Sequence, residues 1–126
     1  MNLNQINEAI QESEFVLLHF TANWCQPCKR MEPIIEEYTS ERPNINYIKI
    51  DVDEYGDTAL SMGVKSVPTF MSYHGGNQLH TKTGAMPMVE FKKMFDGAEE
   101  AFYESSGPSE MDNMGREKFW EDLGRP

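Results

Sequence analysis

Two side chains in this sequence can exchange electrons: Cys25 and Cys28, spaced C-x-x-C, the only cysteines among 126 residues. Such a pair can bind a metal, form an inert crosslink, or cycle between dithiol and disulfide. Tetrahedral zinc needs four ligands. The pair offers two, and His19, His74 and His80 are not spaced as a second pair. No metal site is expected within one chain, although a zinc shared between two chains stays formally open. A structural disulfide framework needs more cysteines at wider separations. The redox pair is the reading with no competitor for the thiols.

The elements that must position these thiols follow from periodicity. Leu3, Ile6 and Ile10 share one face of a short amphipathic helix over residues 3–13. Phe15–Thr21 is an apolar run without helical period, which predicts a buried strand. A long helical stretch follows Cys25 to about Arg42, with Met31, Ile34, Ile35 and Tyr38 at helical spacing. Pro33 inside it predicts a kink or break. Ile45–Val52 reads as a second buried strand, and Asp53–Val64 as a short helix between turns. Val67–Tyr73 is a third strand, and His74-Gly75-Gly76-Asn77 is a hairpin turn leading into Gln78–Thr83. Pro87 opens a helix expected to run to about Phe102, with Val89, Phe91, Met94 and Phe95 facing inward. The order α-β-α-β-α-β-β-α implies a mixed sheet with helices on both faces.

Composition bounds the function classes. Apolar residues make up 39% and charged residues 25%, enough for one packed domain. With 21 acidic and 11 basic residues, the net charge is −10. Nucleic acid and anionic membrane both require positive charge, so neither is an expected partner. The longest apolar runs, such as Phe15–Leu18, fall far short of a membrane span. The first twenty residues lack the basic start and apolar stretch of a secretory signal. Residues 99–126 carry eight acids and three bases, hence 3 − 8 = −5. The polar run Glu104–Asn113 reads as a linker, and Arg116–Leu123 can form one or two helical turns. The expected organisation is a domain over 1–102 and an acidic extension over 103–126, with a short helix at 116–123.

Phe20-Thr21-Ala22-Asn23-Trp24-Cys25-Gln26-Pro27-Cys28-Lys29 resembles the active-site signature of the thioredoxin family. Ile48-Lys49-Ile50-Asp51-Val52-Asp53 looks like that family's central strand, Val67-Pro68-Thr69-Phe70 like its cis-proline segment, and Gly84-Ala85 like the glycine after its last hairpin strand. The likeness covers residues 6 to about 102. It implies an α/β fold, a thioredoxin-like three-layer α/β/α sandwich. The central sheet would have four strands, or five if an edge strand precedes the first helix. Three positions depart from the pattern. Gln26 replaces a usual glycine, His19 replaces a usual buried aspartate, and few residues precede the first helix.

The resemblance also implies roles. Cys25, at a helix N-terminus, is the nucleophile, because backbone N–H groups and the helix dipole favour its thiolate. Cys28, one turn further on and on the same helix face, resolves the mixed disulfide. Pro68 is expected to be cis and to lie against the pair, with Val67 offering backbone hydrogen bonds to an extended substrate. Trp24, Gln26, Pro27, Gly84 and Ala85 complete the expected substrate surface, with Met86 at its margin. For His19 two readings stand side by side: a proton acceptor for Cys28, or a core histidine satisfied by a backbone or water partner. A positively charged His19 would instead favour the thiolate and make the pair more oxidising. Lys49, deprived of an acid at position 19, has no assured ion pair and is left to snorkel from the sheet. Asp51 and Asp53 read as strand-end and cap residues.

The expected activity is a protein-disulfide reductase without cofactor, acting on disulfide-containing proteins and recharged by an upstream disulfide reductase. A monomer in the cytoplasm is expected. Two alternatives stay open: a binding module whose surface or tail recruits a partner, and an oxidant or isomerase differing only in redox poise.

Overall fold

The computed structural model describes residues 2–98. The acidic extension, its suggested helix at 116–123 and the 102/103 boundary lie outside these residues. Helix α1 (Leu3–Glu12) begins at a reciprocal cap: Asn2 Oδ1 accepts from the Gln5 backbone at 2.9 Å, and Gln5 Oε1 accepts from the Asn2 backbone at 3.0 Å. Its buried residues, Ile6 and Ile10, stand one turn apart. Strand β1 (Phe15–Thr21) is buried at every position, as expected of a strand covered on both faces. Helix α2 (Gln26–Ser40), strand β2 (Ile45–Asp51) and helix α3 (Gly56–Ser61) follow. Strands β3 (Thr69–His74) and β4 (Asn77–Thr83) form the hairpin. Gly75 and Gly76 in its turn have φ of 60° and 86°, the left-handed pair that a two-residue hairpin loop demands.

Among the described residues the sheet has four strands in the order β2-β1-β3-β4. β1 pairs parallel with β2 and antiparallel with β3, and β4 closes the far edge antiparallel to β3. The side-chain period of two divides β1 between two layers. Val16, Leu18 and Phe20 pack with Ile6 and Ile10 of α1 and Ala59 of α3. Phe15, Leu17, His19 and Thr21 face the opposite side. That side holds an aromatic network: Phe15 meets Phe95, Tyr38 of α2 meets Phe91 and Phe95, and Phe70 meets Phe91. Phe15, Phe20, Phe70, Phe91 and Phe95 are fully buried. Each contributes roughly 1.5–3 kcal/mol of burial free energy. Ser72 on β3 donates its hydroxyl to the Met94 carbonyl, tying the last helical turn to this layer.

Two expectations need correction. Pro33 does not break α2, which is one helical segment from Gln26 to Ser40. Pro33 is exposed, so the backbone carbonyl it leaves unpaired one turn back is on the wet side of the helix. The terminal helix does not run from Pro87 to Phe102. Helix α4 spans only Met88–Phe91, a 3-10 turn covers Lys92–Phe95, and Asp96 returns to extended ψ. Gly97 follows with φ of 97°, which ends helical geometry. Val89 is 69% exposed rather than inward-facing.

Candidate active site

Cys25 is the N-cap of α2, and Pro27 lies in the helix's first turn, where a missing N–H costs nothing. The Cys28 backbone N–H donates to Cys25 Sγ at 3.2 Å. The two residues are joined as a disulfide, with Cα atoms 5.3 Å apart. Both are buried, and Ala22, Val52 and Val67 pack around them. The Val67–Pro68 peptide bond is cis. The Gly84 backbone N–H donates to the Pro68 carbonyl at 2.8 Å, and the Met86 N–H donates to Met31 Sδ of α2 at 3.3 Å. These two bonds draw the segment after β4 onto the cis-proline loop and α2. Val67 thus shares a packing cluster with the cysteines, and Gly84 sits on Pro68. Gln26 and Ala85 are exposed, while Pro27 and Gly84 are half-buried.

Trp24 is 66% exposed beside the pair, and its indole Nε1–H donates to Asp53 Oδ2 at 2.9 Å. Asp53 was not expected to take part in the site: a strand-end aspartate gives no sequence signal for a partner 29 positions away. An apolar cavity of about 290 Å³ opens next to the indole, lined by Trp24, Val52, Leu60, Lys65 and Val67 among others. Asp53→Ala should free the indole and increase quenching of Trp24 fluorescence by acrylamide. The bond is exposed, so stability should change by less than about 1 kcal/mol. Unchanged quenching would show that packing alone holds Trp24.

His19 lies in the layer under α2 and is fully buried. Its partner is a side chain rather than backbone: Nδ1 and Tyr47 Oη are 2.9 Å apart. The ring also stacks on Phe70, with centroids 4.7 Å apart and planes 20° from parallel. Burial above all, and then the Lys49 ammonium, lower its pKa from 6.5 to about 4, against an opposing pull from Glu32. Both effects favour the neutral imidazole in the physiological range over the cationic form. Lys49 does find an ion pair, with Nζ 3.1 Å from Glu32 Oε2 on α2. Tyr47 is half-buried, and its pKa rises to about 12 through burial and the nearby Glu32. Sequence reasoning passed over Tyr47, which looks like one residue of an alternating strand until β2 is set beside β1. Among the described residues no cluster of His, Cys, Asp and Glu can hold a metal ion.

Comparison with known proteins matches residues 1–96 to the thioredoxin family. Thioredoxin-2 of Pyricularia oryzae is 38% identical over 86 residues, 68% of this chain and 50% of that protein. Thioredoxin-1 of Saccharomyces cerevisiae is 34% identical over 84 residues, 67% of this chain and 82% of that protein. The chain thus spans half the length of the first relative and four fifths of the second. Among solved structures, oxidised mitochondrial thioredoxin 3 of Saccharomyces cerevisiae superposes with a TM-score of 0.70 at 32% identity, covering 75% of this chain and 90% of that one.

Proposed function

This chain belongs to the thioredoxin family and its matched domain is a thiol–disulfide oxidoreductase that reduces protein disulfides; from that premise we propose how its residues divide the work. Reduced Cys25 attacks the substrate disulfide as a thiolate. The α2 N-terminus supports that charge, since the Cys28 N–H already points at Cys25 Sγ. One substrate sulfur leaves and the other stays bonded to Cys25. Cys28 then attacks Cys25 Sγ, the Cys25–Cys28 bond forms, and the second substrate thiol departs. An extended substrate segment lies along Val67 and Pro68, flanked by Trp24, Gln26, Pro27, Gly84 and Ala85. Neutral His19 accepts the Cys28 proton at Nε2 during resolution. Residues 1–102 act as the domain and 103–126 as an acidic extension to it.

The observation that carries this reading is the disulfide at the N-terminus of α2, packed against the residue that precedes the cis-proline. Disulfide-containing proteins are the partners, and a reductase upstream returns the electrons. No helix among the described residues is long and apolar enough to cross a membrane. The chain works as a cytoplasmic monomer in this reading.

Equilibration against glutathione buffers tests the direction of electron flow. A reduction potential at or below about −230 mV, among thioredoxins and glutaredoxins, is the expected result. A value near or above about −180 mV would overturn the reductase direction in favour of an isomerase or oxidant. Absence of a reversible transition would leave a binding module.

A further inference from the structure

His19 has one partnered nitrogen and one bare one. Nδ1 meets Tyr47 Oη at 2.9 Å, whereas Nε2 is buried and has no hydrogen-bond partner among the described residues. A bare buried ring nitrogen is costly and uncommon. Its surroundings say which way it faces. Tyr47 on β2 takes one edge of the ring, and Phe70 on β3 takes one face. The remaining edge is left for the layer packed on this side of the sheet, α2 together with Phe91 and Phe95 of the last helical turns. The register then places the ring along α2. Lys49 is the cross-strand partner of His19, and it reaches Glu32 on α2. Glu32 stands four residues after Cys28, on the same helix face.

We propose that Tyr47 is the positioning residue of the resolving step: it holds the His19 ring with Nε2 toward α2 and carries the Cys28 proton from that ring to solvent. This rests on the reading of His19 as the proton acceptor given above. At the start, His19 Nδ1–H donates to Tyr47 Oη, the Tyr47 hydroxyl proton faces water, and the Nε2 lone pair accepts from the Cys28 thiol. Three transfers then occur together. The Cys28 proton moves to Nε2, the Nδ1 proton moves to Tyr47 Oη, and the original Tyr47 proton moves to water. The Cys28 thiolate attacks Cys25 Sγ as the bond from Cys25 to the substrate sulfur breaks. The substrate leaves as a thiolate and takes up one proton from solvent, so protons and electrons balance. The imidazole ends neutral as its other tautomer, with Tyr47 O–H donating to Nδ1. Reduction of the pair returns a proton to Cys28 along the same path.

Two properties of the pair suit this relay. A histidine held near pKa 4 is a poor store for a whole proton, so handing one on as another arrives avoids an imidazolium in a dry site. A phenol held near pKa 12 keeps its own proton and can donate and accept in one step. Tyr47 is half-buried, unlike His19, which is sealed in the core. The charged groups that act on this ring are Lys49 on β2 and Glu32 on α2, one turn after Cys28. Lys49 and Glu32 satisfy each other at 3.1 Å.

The test uses the full chain, reduced and mixed in a stopped-flow instrument with 5,5′-dithiobis(2-nitrobenzoate). The first thionitrobenzoate released reports attack by Cys25 and the second reports resolution by Cys28. In Tyr47→Phe the first release should be unchanged, and the second should slow about ten- to hundredfold at neutral pH. The slowed release should then rise about tenfold per pH unit until the thiol ionises unaided. Wild-type protein, which requires no variant to fold, should give a bowed rate plot across H₂O–D₂O mixtures, because several protons move together. A linear plot overturns the relay. So does wild-type behaviour in Tyr47→Phe when His19→Asn slows the second release, and that outcome leaves His19 as acceptor intact. If neither variant slows it, the role given to His19 falls as well. Equal slowing of both releases marks a structural role for Tyr47 and overturns the proposal.

Discussion

Cys25→Ser should bring turnover of a disulfide-linked protein substrate down to the background seen without enzyme, whereas Cys28→Ser should complete one attack and stop. The difference follows from the positions of the two sulfurs. Cys25 caps α2 and receives the Cys28 backbone N–H at 3.2 Å, so its charge is stabilised at the helix end. A serine hydroxyl there is not ionised at neutral pH and cannot form the mixed disulfide. Cys28 has no exposed surface and stands one turn into the helix, within bonding reach of Cys25 Sγ. Removing Cys28 therefore leaves the first step and deletes the second. Intact-mass measurement should show Cys28→Ser carrying one substrate half in a bond that dithiothreitol reverses, and Cys25→Ser carrying none. Repeated turnover by Cys28→Ser with no external thiol would show that something else resolves the mixed disulfide.

Acidification should destabilise the wild-type protein by about 3 kcal/mol more than His19→Asn over the window from pH 6.5 to 4, taking about 1.36 kcal/mol per unit of pKa shift. The sign follows from the direction of the shift. Burial and the Lys49 charge lower the folded-state pKa of His19 from 6.5 to about 4. The unfolded chain therefore binds this proton first as pH falls. Stability from the neutral ring is fully present above pH 6.5, drains away towards pH 4, and changes no further below. Glu32, Lys49 and the other ionisable residues remain in both proteins, so the difference between the two curves isolates position 19. Urea unfolding at half-unit pH intervals measures it. Parallel curves would mean that the folded protein accepts the proton on His19 without penalty, and the dry environment assigned to the ring would be wrong.

The elements were legible wherever burial is periodic. Ile6 and Ile10 mark α1, the unbroken run Phe15–Thr21 marks the central strand, and the two glycines after His74 mark the hairpin. Legibility failed where a local rule met a local exception. Pro33 disfavours helix in general, but on the exposed side of α2 the lost hydrogen bond is cheap. Beyond Pro87 the apolar spacing continues, yet Asp96 and Gly97 end the helix before that spacing does.

By itself the sequence determined the redox pair, because C-x-x-C at the start of a helix is a local arrangement that three residues and one helical turn complete. It also determined the class of sheet, because strand and helix periods alternate along the chain. Only the tertiary structure decided what surrounds that pair. The Trp24–Asp53 bond joins residues 29 apart and the His19–Tyr47 bond joins residues 28 apart. Both run from β1 or the turn after it to β2 or the turn after it, so neither exists until the parallel β1–β2 register is set. The charge on His19 belongs to the same class. An imidazole titrates near 6.5 in water, and no pattern of neighbours along the chain tells whether the fold will remove that water. Here the sheet beneath it and the α2 layer over it do so, and the ring becomes a neutral group buried in the domain that holds the Cys25–Cys28 pair.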